Sequence, residues 1–443
     1  MAQQADYLIR DAIILTQNSQ RTILHDGAIA IVQGRIAAIG ETQHITREWT
    51  ANNILSAKRR VITPGLINAH IHMTGPALFP GIEPGSSPIA DHFPKWVMPP
   101  HAVSEPEDEQ AAARFVVLQM LKHGTTAFIE PGICRFPAAV LNALDDLPLK
   151  GAIGAWVSDM WPIPFGPSDT PAAIAALEEA LKLKSKNGRI RVWPNIIGHN
   201  GCSDELYKKA HALAQQHDVH WTFHMSAMSD DGDHYRAQSG HDPLVHFDKL
   251  GILDERAIIA HGIHLSHAEV DVLKKTNATV AYCPVCSLRL CTGITKVGKH
   301  PDLPHVAIGT DTQNASNHLD LLRSAATACD LYGEIRGERA SLTAPKALDW
   351  LTIEGARALQ LSKEIGSLEI GKAADFAIFD AGWPIYNVAN ALVHGSARAE
   401  HVFIDGQAVL VNGKFEGEEK IIADAEAAGT RLAQRIGLPR WTD

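Results

Sequence analysis

The sequence predicts an α/β fold: a (β/α)8 TIM-type barrel with a small β-sandwich domain built from both chain ends. Two observations predict it. Apolar, strand-like segments alternate with helical segments from residue 63 to residue 365, and eight such strands can be counted, as in a barrel of parallel βα units. Short β patterns fill residues 1–62 and 366–415 on either side. We therefore expect the two flanking segments to pair with each other.

The two chain ends carry the β patterns of the sandwich. At the N-terminal end, strand-like runs cover residues 7–10, 12–15, 27–32 and 35–40. Gln33-Gly34 predicts a hairpin turn between the last two runs. At the C-terminal end, β patterns cover residues 366–380, 401–406 and 409–414. Residues 416–443 are charged and rich in alanine, which predicts a helix packed on the outside.

The barrel is predicted from the middle of the chain. Its strands are expected at residues 64–72, 125–129, 151–157, 192–197, 220–224, 257–261, 279–282 and 306–309. Helices between them have start signals: Ser104 with Glu107, and Ser266 with Glu269, have the spacing of capping boxes. Strand–helix alternation of this length indicates parallel strands, and the active site of such a barrel lies at their C-terminal ends.

Composition narrows the possible functions. The chain has 443 residues and a formal net charge of −10, which argues against nucleic acid or an anionic membrane as a partner. Residues 1–6 lack the basic and apolar parts of a signal peptide, and no apolar run approaches the roughly 20 residues of a membrane span. Six cysteines in so long a chain do not form a disulfide framework. We expect a cytoplasmic enzyme with a small-molecule substrate.

A histidine pair at the end of the first barrel strand indicates metal binding. His70 and His72 are two residues apart, so their side chains point to the same face of a strand. Polar residues recur at later strand ends, namely His224, His261 and Asp311. Because a barrel brings these ends to one rim, three histidines and one aspartate from this set suit zinc or iron with an open position for water.

The same segments resemble a known family. Residues 64–72 (PGLINAHIH) are similar to the signature of the amidohydrolase superfamily. Residues 260–266, 282–286 and 309–311 resemble the later strands of its branch containing cytosine deaminase, guanine deaminase, S-adenosylhomocysteine deaminase and the s-triazine hydrolases. Residues 366–380 resemble its C-terminal β segment. The resemblance covers nearly the whole chain.

The resemblance implies one divalent metal, zinc ahead of iron, that activates a water molecule as nucleophile. The implied ligands are His70, His72, His224 and Asp311. By the same resemblance, His261 hydrogen-bonds the water or the transition-state oxygen, and Asp311 carries its proton to the leaving group. His199 stands where the family places a substrate-polarising histidine, although the segment that follows it is short here. The superfamily often forms dimers or tetramers, so a homo-oligomer is expected.

One departure from the family pattern bears on the reaction. The fifth strand usually continues His-x-x-Glu, whereas here the run is His224-Met225-Ser226-Ala227. Alanine cannot transfer a proton, and deamination of an aromatic ring needs general acid catalysis. Asp230, Asp231 and Glu130 are candidate replacements. A solvated loop is the favoured interpretation of the two aspartates, and Glu130 could equally be a buried structural acid.

These observations predict a metal-dependent hydrolase of a non-peptide carbon–nitrogen bond in a small apolar or aromatic compound. The loss of the glutamate at Ala227 places amide or urea hydrolysis, as in the phenylurea hydrolases of the superfamily, slightly ahead of other reactions. The alternatives are deamination or dechlorination of a purine, pyrimidine or s-triazine. An alternative of another class is a non-catalytic binding member of the fold.

Aromatic residues near the predicted site suggest a substrate pocket. Phe79, Phe93, Trp96 and Met98 lie in a long loop after the histidine pair, where long loops often form lids. With Trp156 and Trp161 they would line an aromatic pocket, or they would form only the small core of the loop. The candidate substrate-binding residues are His199, Trp96, Glu130 and Trp161. Cys283, Cys286 and Cys291 are interpreted as packing residues rather than a second metal site.

Overall fold

The computed structural model describes residues 2–161, 163, 165–167, 169–295, 303, 305–337 and 342–438. Its strands are β1 Gln3–Leu15, β2 Ile23–Val32, β3 Arg35–Glu41, β4 Trp49–Ser56, β5 Val61–Pro64, β6 Leu66–Asn68, β7 Thr125–Ile129, β8 Lys150–Ile153, β9 Ile190–Val192, β10 Trp221–Met225, β11 Ala257–His261, β12 Thr279–Tyr282, β13 Val306–Ile308, β14 Phe376–Asp380, β15 Arg398–Ile404 and β16 Gln407–Leu410.

Helices separate most of these strands. They are α1 Thr42–Glu48, α2 Ile89–Asp91, α3 Met98–Val103, α4 Pro106–Lys122, α5 Pro137–Asp145, α6 Thr170–Ala180, α7 Asp204–Gln216, α8 Ser229–Ser239, α9 Pro243–Leu250, α10 His267–Thr276, α11 Pro284–Arg289, α12 Gln313–Ser316, α13 Leu321–Arg336, α14 Ala344–Leu351, α15 Ile353–Ala358, α16 Val388–His394 and α17 Glu418–Arg435. Single 3₁₀ turns cover Gly75–Leu78 and His199–Gly201, and a π-helical segment covers His92–Val97. None of the described helices is long and apolar enough to cross a membrane.

The predicted barrel is present as eight parallel strands in chain order. Strands β6 to β9 form one four-stranded sheet and β10 to β13 form another. Backbone hydrogen bonds join the two sheets at both seams: the Ala69 amide donates to the Ile308 carbonyl at 3.0 Å, and the His224 amide donates to the Ile197 carbonyl at 3.2 Å. The strands are buried on both faces except at Lys150, Arg191 and Val192, as expected for a parallel sheet covered by helices.

Both chain ends pair in one sheet, as the β patterns predict. Its strand order is β16-β15-β14-β5-β1-β2-β3, and β4 pairs with β1 on the same edge as β5, opposite β2. The pairing of β14 with β5 joins the C-terminal segment to the N-terminal one. An apolar cluster fills one face, where the Phe376 and Phe403 rings stack with centroids 4.6 Å apart. Strand β5 runs across the boundary predicted at residue 62. The predicted limits of the domains are not tested by these observations.

The helix start signals are confirmed in one case and shifted in the other. Ser266 caps α10 and forms a capping box with Glu269, as predicted. Helix α4 begins one residue later than predicted, because Pro106 occupies its first position and Glu105 is the cap. The capping box there pairs Glu105 with Asp108.

The predicted C-terminal helix is α17, and it packs against α4. Arg431 and Arg435 each reach the fully buried carboxylate of Asp108 at 2.7 Å. The end of the predicted helical segment, residues 439–443, lies outside the described residues.

Candidate active site

The first barrel strand, β6, and the last, β13, lie in close contact at the base of the site. A Cβ atom on Gly309 would lie 2.6 Å from the Cβ of His70, so glycine is required for the close approach. The amides of Thr310 and Asp311 both donate to the His70 carbonyl, at 3.1 and 3.0 Å. Asn68 accepts hydrogen bonds from the amides of His70 and Thr310. These contacts fix His70 relative to Asp311.

The side chains at four strand ends converge on one point. His72 Nε2 lies 3.3 Å from His224 Nε2 and 3.3 Å from Asp311 Oδ1. His70 Nε2 lies 3.8 Å from the same oxygen. Two overlapping groups, His70 with His72 and His224, and His70 with His261 and Asp311, each bring their ligand atoms within 4.8 Å of one another.

The donor atoms of this cluster fit a metal ion. Both ring nitrogens of His70 are buried without a hydrogen-bond partner, which is costly unless another ligand is bound. His224 Nδ1 lies 2.6 Å from the Ile197 carbonyl oxygen, an arrangement that leaves Nε2 free to bind a metal. His70, His72, His224 and Asp311 are therefore able to hold one divalent ion through imidazole and carboxylate groups.

The charge states suit metal binding as well. Burial, followed by the neighbouring histidines, holds the pKa of His70 and of His224 well below the usual value. Burial alone raises the pKa of Asp311, but His72, His261 and a hydrogen bond from Cys286 outweigh it, so the pKa is lowered. The cluster therefore favours neutral imidazoles and an ionised carboxylate, the forms that bind metals.

His261 lies beside this cluster on the cavity side. Its Nε2 is 4.0 Å from Asp311 Oδ2, and burial lowers its pKa to about 4. His261 and Asp311 both have left-handed backbone conformations, with φ of 74° and 61°. Non-glycine residues in this region are strained, and such strain clusters at functional sites.

His199 forms a pair with Asp231. His199 Nδ1 is 2.8 Å from Asp231 Oδ2, and the Asp231 side chain is almost fully buried. The interpretation of Asp231 as a solvated loop residue is therefore wrong, because α8 turns it inward to His199. Burial lowers the pKa of His199, but the Asp231 carboxylate raises it more, so the net shift is upward.

The converging side chains open into a cavity of about 200 Å³. Its described lining residues are His72, Pro76, Ile89, His92, Phe93, Val97, Ile133, Trp156, Trp161, Ile197, His199, Asn200, His224, Ala227, Met228, Asp230, Asp231, His261, Cys286, Ser287, Leu290, Thr292, Asp311 and Thr312. His199 and Trp161 therefore lie where the sequence predicts a substrate pocket, and Ala227 contributes only a methyl group to the wall.

Two predicted substrate-binding residues do not line this cavity. Trp96 turns away, and its indole N–H donates to Ser87 Oγ at 3.0 Å. Glu130 is completely buried, and its carboxylate accepts hydrogen bonds from the amides of Gly132, Ile133 and Gly154. Because its oxygens are occupied by backbone donors, Glu130 supports the loop beneath His72 rather than contacting a substrate.

Sequence reasoning missed the part that Cys286 plays in the site. Its Sγ lies 2.9 Å from Asp311 Oδ2, and the residue lines the cavity. Cys283 and Cys286 also pack against Ala315, as the packing interpretation predicts. The only sequence signal was the position of Cys286 just after the seventh strand, at the rim where the other polar residues lie.

The chain is similar to curated enzymes along nearly its whole length. It is 28% identical over 434 residues to the 5-methylthioadenosine/S-adenosylhomocysteine deaminase of Thermodesulfovibrio yellowstonii, covering 95% of this chain and 97% of the relative. It is 26% identical to the 5'-deoxyadenosine deaminase of Methanosarcina acetivorans, covering 97% of this chain and 99% of the relative.

Solved structures with the same fold include two zinc complexes. An adenosine deaminase from Xanthomonas campestris with bound zinc superposes with a TM-score of 0.91 at 25% identity, covering 98% of this chain and 100% of the other. An atrazine chlorohydrolase from Arthrobacter aurescens complexed with zinc has a TM-score of 0.85 at 20% identity, covering 96% and 100%. The second likeness supports the fold alone.

The amidohydrolase family model matches residues 61–409, which include the whole barrel and the strands that join it to the sheet of the chain ends. The expected enzyme class therefore holds, and the chain belongs to the amidohydrolase family of hydrolases that act on carbon–nitrogen bonds other than peptide bonds.

Proposed function

We propose that this protein is a metal-dependent hydrolytic deaminase that releases ammonia from an aminopurine compound. The observation that carries the proposal is the buried cluster of His70, His72, His224 and Asp311 with His261 beside it. This cluster occurs in a chain that aligns end to end with deaminases of adenosine derivatives. The expected preference for amides or ureas has no support among these relatives.

The proposed metal is zinc, since the adenosine deaminase with the same fold binds zinc and the donor set suits it. When bound, the metal supplies Lewis-acid activation of the attacking water. His70, His72 and His224 would hold it through ring nitrogens, and Asp311 through Oδ1. We assign His261 to hydrogen-bond the attacking oxygen from the cavity side.

Asp311 is proposed to accept the proton of the attacking water and to pass it to the departing amine. Two donors support its orientation: the Thr312 amide reaches Oδ1 at 2.7 Å, and Cys286 Sγ reaches Oδ2 at 2.9 Å. Oδ2 also faces His261. A carboxylate held in this way keeps one oxygen toward the ligands and the other toward the reacting groups.

The purine ring needs a proton donor, and Ala227 cannot be that donor. We propose that the His199–Asp231 pair takes over this task. With Nδ1 held by Asp231, the remaining ring nitrogen of His199 is available to a substrate in the cavity. Asp230 lines the same cavity and is a second carboxyl within it.

A second candidate function is hydrolysis of an amide or urea, and Ala227 is the specific observation that favours it. A carbonyl substrate needs no ring protonation, so the missing glutamate would not matter. Dechlorination of a triazine releases chloride, a leaving group that needs no protonation. The same cavity would serve these reactions.

A substrate panel separates these functions. Zinc-loaded protein is incubated with adenosine, 5'-deoxyadenosine, 5'-methylthioadenosine, guanine, a chlorotriazine, an aryl urea and an anilide, and released ammonia, chloride or aniline is measured. We expect ammonia from at least one aminopurine compound. Aniline from the urea or anilide, with no ammonia from any aminopurine, would contradict the proposal and favour the second candidate. The Asp311→Asn variant serves as the inactive control.

A further inference from the structure

The cavity has an outer end that differs chemically from its metal-binding end. Apolar side chains form much of the remaining lining, among them Ile89, Phe93, Trp156, Trp161 and Met228, beside polar ones such as His92 and Asn200. Within the part of the chain that the structure describes, no lysine or arginine lines the cavity. Its lining carboxyl groups are those of Asp230, Asp231 and Asp311. The described wall therefore offers apolar surface and negative charge, and an anion would find only histidines and neutral polar side chains such as Asn200 and Thr292 as donors.

Aromatic rings form a continuous surface along this outer end. The Phe93 ring lies between two indoles, with centroids 5.3 Å from Trp161 and 6.3 Å from Trp156. Trp161 in turn stacks on His199 at 6.1 Å and an interplanar angle of 16°. The aromatic surface thus runs from the reacting end, at His199, outward to Phe93. A substrate bound at His199 would lay any outward substituent along these rings.

Apolar side chains are also left exposed at the cavity mouth. Ile89 is 38% exposed and Met228 is 40% exposed, and both line the cavity. Burying such side chains against an apolar group is favourable by roughly 25 cal/mol per Å². An ionised substituent at the same place would lose its hydration, and the exposed carboxyl group of Asp230 also lines the cavity.

We propose that the substrate carries an uncharged, apolar substituent that lies against Phe93, Trp156 and Met228, and that a substituent ending in a carboxylate is rejected. This inference rests on the proposed deaminase function and adds its substrate class. Of the compounds that the relatives' names suggest, the site favours methylthio and deoxy forms over one with an amino-acid tail. The compounds are expected to differ in how their substituents bind, whereas the reaction at the metal is the same for all of them.

Matched compounds on one ring system test the inference. The kcat/KM for ammonia release is compared among 5'-methylthioadenosine, 5'-deoxyadenosine, S-adenosylhomocysteine and adenosine 5'-carboxylate. We expect the methylthio compound to exceed the carboxylate by roughly tenfold or more. Equal or faster turnover of the carboxylate would overturn the inference while leaving the deaminase function intact.

Binding calorimetry keeps the two proposals separate. If none of the compounds releases ammonia, the deaminase function fails. The same four compounds are then ranked by Kd, and the carboxylate is still expected to bind roughly tenfold more weakly than the methylthio compound. A carboxylate that binds as tightly as the methylthio compound would overturn the inference.

A positive charge introduced at the cavity mouth should reverse the predicted substrate preference. Met228→Arg is expected to raise kcat/KM, or the affinity, for adenosine 5'-carboxylate and to lower it for 5'-methylthioadenosine. Ile89→Arg provides a second, independent position should Met228→Arg fold poorly. Ile370→Arg is the control, since Ile370 is 68% exposed and lies outside the cavity lining. An unchanged ratio of the two substrates in both mouth variants would contradict the inference.

Discussion

The two ends of the cavity are built in different ways. At the inner end, His72, His224, His261 and Asp311 each lie at or within a few residues of the end of a barrel strand, and none is more than 8% exposed. At the outer end, the lining comes from connecting segments, with Phe93 in the π-helical segment and Met228 just before α8. We therefore expect the barrel to determine the chemistry and the loops to determine which substrate reaches it.

The side chains at the inner end are held by contacts with one another and with the backbone. Asp311 illustrates this, since both of its oxygens accept protein donors and its backbone is left-handed. The outer end has exposed apolar groups and few such bonds, so substitutions there are expected to alter substrate choice more than rate.

The largest effect is expected from Asp311→Asn. The amide keeps the shape of the side chain but cannot accept the water proton, so kcat/KM should fall by roughly 10⁴-fold. Initial rates of ammonia release measure this loss. Asp330→Asn, which changes an exposed carboxyl on α13, is the control and should retain full activity. If Asp311→Asn remained within tenfold of the wild type, Asp311 would not be the proton carrier.

A second change tests the close packing beneath the inner end. Gly309→Ala places a methyl group 2.6 Å from His70 Cβ, so the first and last strands must separate and the ligands must shift. We expect reduced metal content, by roughly tenfold in affinity or more. Gly85→Ala is the matched control, because a Cβ there meets no atom within 4 Å. Normal metal content in Gly309→Ala would show that the close approach of the first and last barrel strands is not needed to position the ligands.

The proton-donating pair is tested by Asp231→Asn. Without the carboxylate, His199 loses the partner that favours its protonated form, and kcat for ring deamination should fall by roughly 10²-fold. Asp233→Asn, an exposed position on the same helix, is the control. Adding Ala227→Glu to Asp231→Asn should restore part of the lost rate, since it returns an acid to the cavity wall. No loss in Asp231→Asn would remove the pair from the mechanism.

The last prediction concerns the pH dependence of stability at His101, which packs behind the cavity wall at Trp156. His101 is fully buried against Trp156, and burial, followed by His72 and Arg135, lowers its pKa to about 3. A histidine whose pKa is lower in the folded state than in the unfolded state stabilises the fold. This contribution to the unfolding free energy is fully present above the unfolded-state pKa of about 6.5 and is lost progressively as the pH falls toward the folded-state pKa. When the pH is lowered from 6.5 to 5, the unfolding free energy of the wild type should fall by about 2 kcal/mol more than that of His101→Phe, because phenylalanine takes up no proton.

Urea unfolding at the two pH values measures the difference. His25→Phe, at an exposed position, is the control and should follow the wild type. Parallel pH dependence in wild type and His101→Phe would mean that His101 does not stay neutral in the folded chain.

The inner end was far more predictable from the sequence than the outer end. Polar residues that close apolar strands can be recognised locally, and barrel geometry then requires them to meet, as His70, His224 and Asp311 do. The contact of Asp231 with His199 joins residues 32 positions apart and depends on how α8 docks. The sequence also does not show which tryptophans face the cavity. Trp161 lines it, whereas Trp96, in the π-helical segment, donates a hydrogen bond to Ser87.

We expect the strand ends to hold one catalytic metal ion. This is tested by the metal-to-protein ratio of purified protein, measured by inductively coupled plasma mass spectrometry on the wild type and on a His70→Ala, His72→Ala double variant. The wild type should contain about one zinc per chain, and the variant should lose most of it. Wild-type protein that retains no divalent metal after growth and dialysis with zinc, or a double variant that binds zinc equally well, would show that these strand ends are not the metal site.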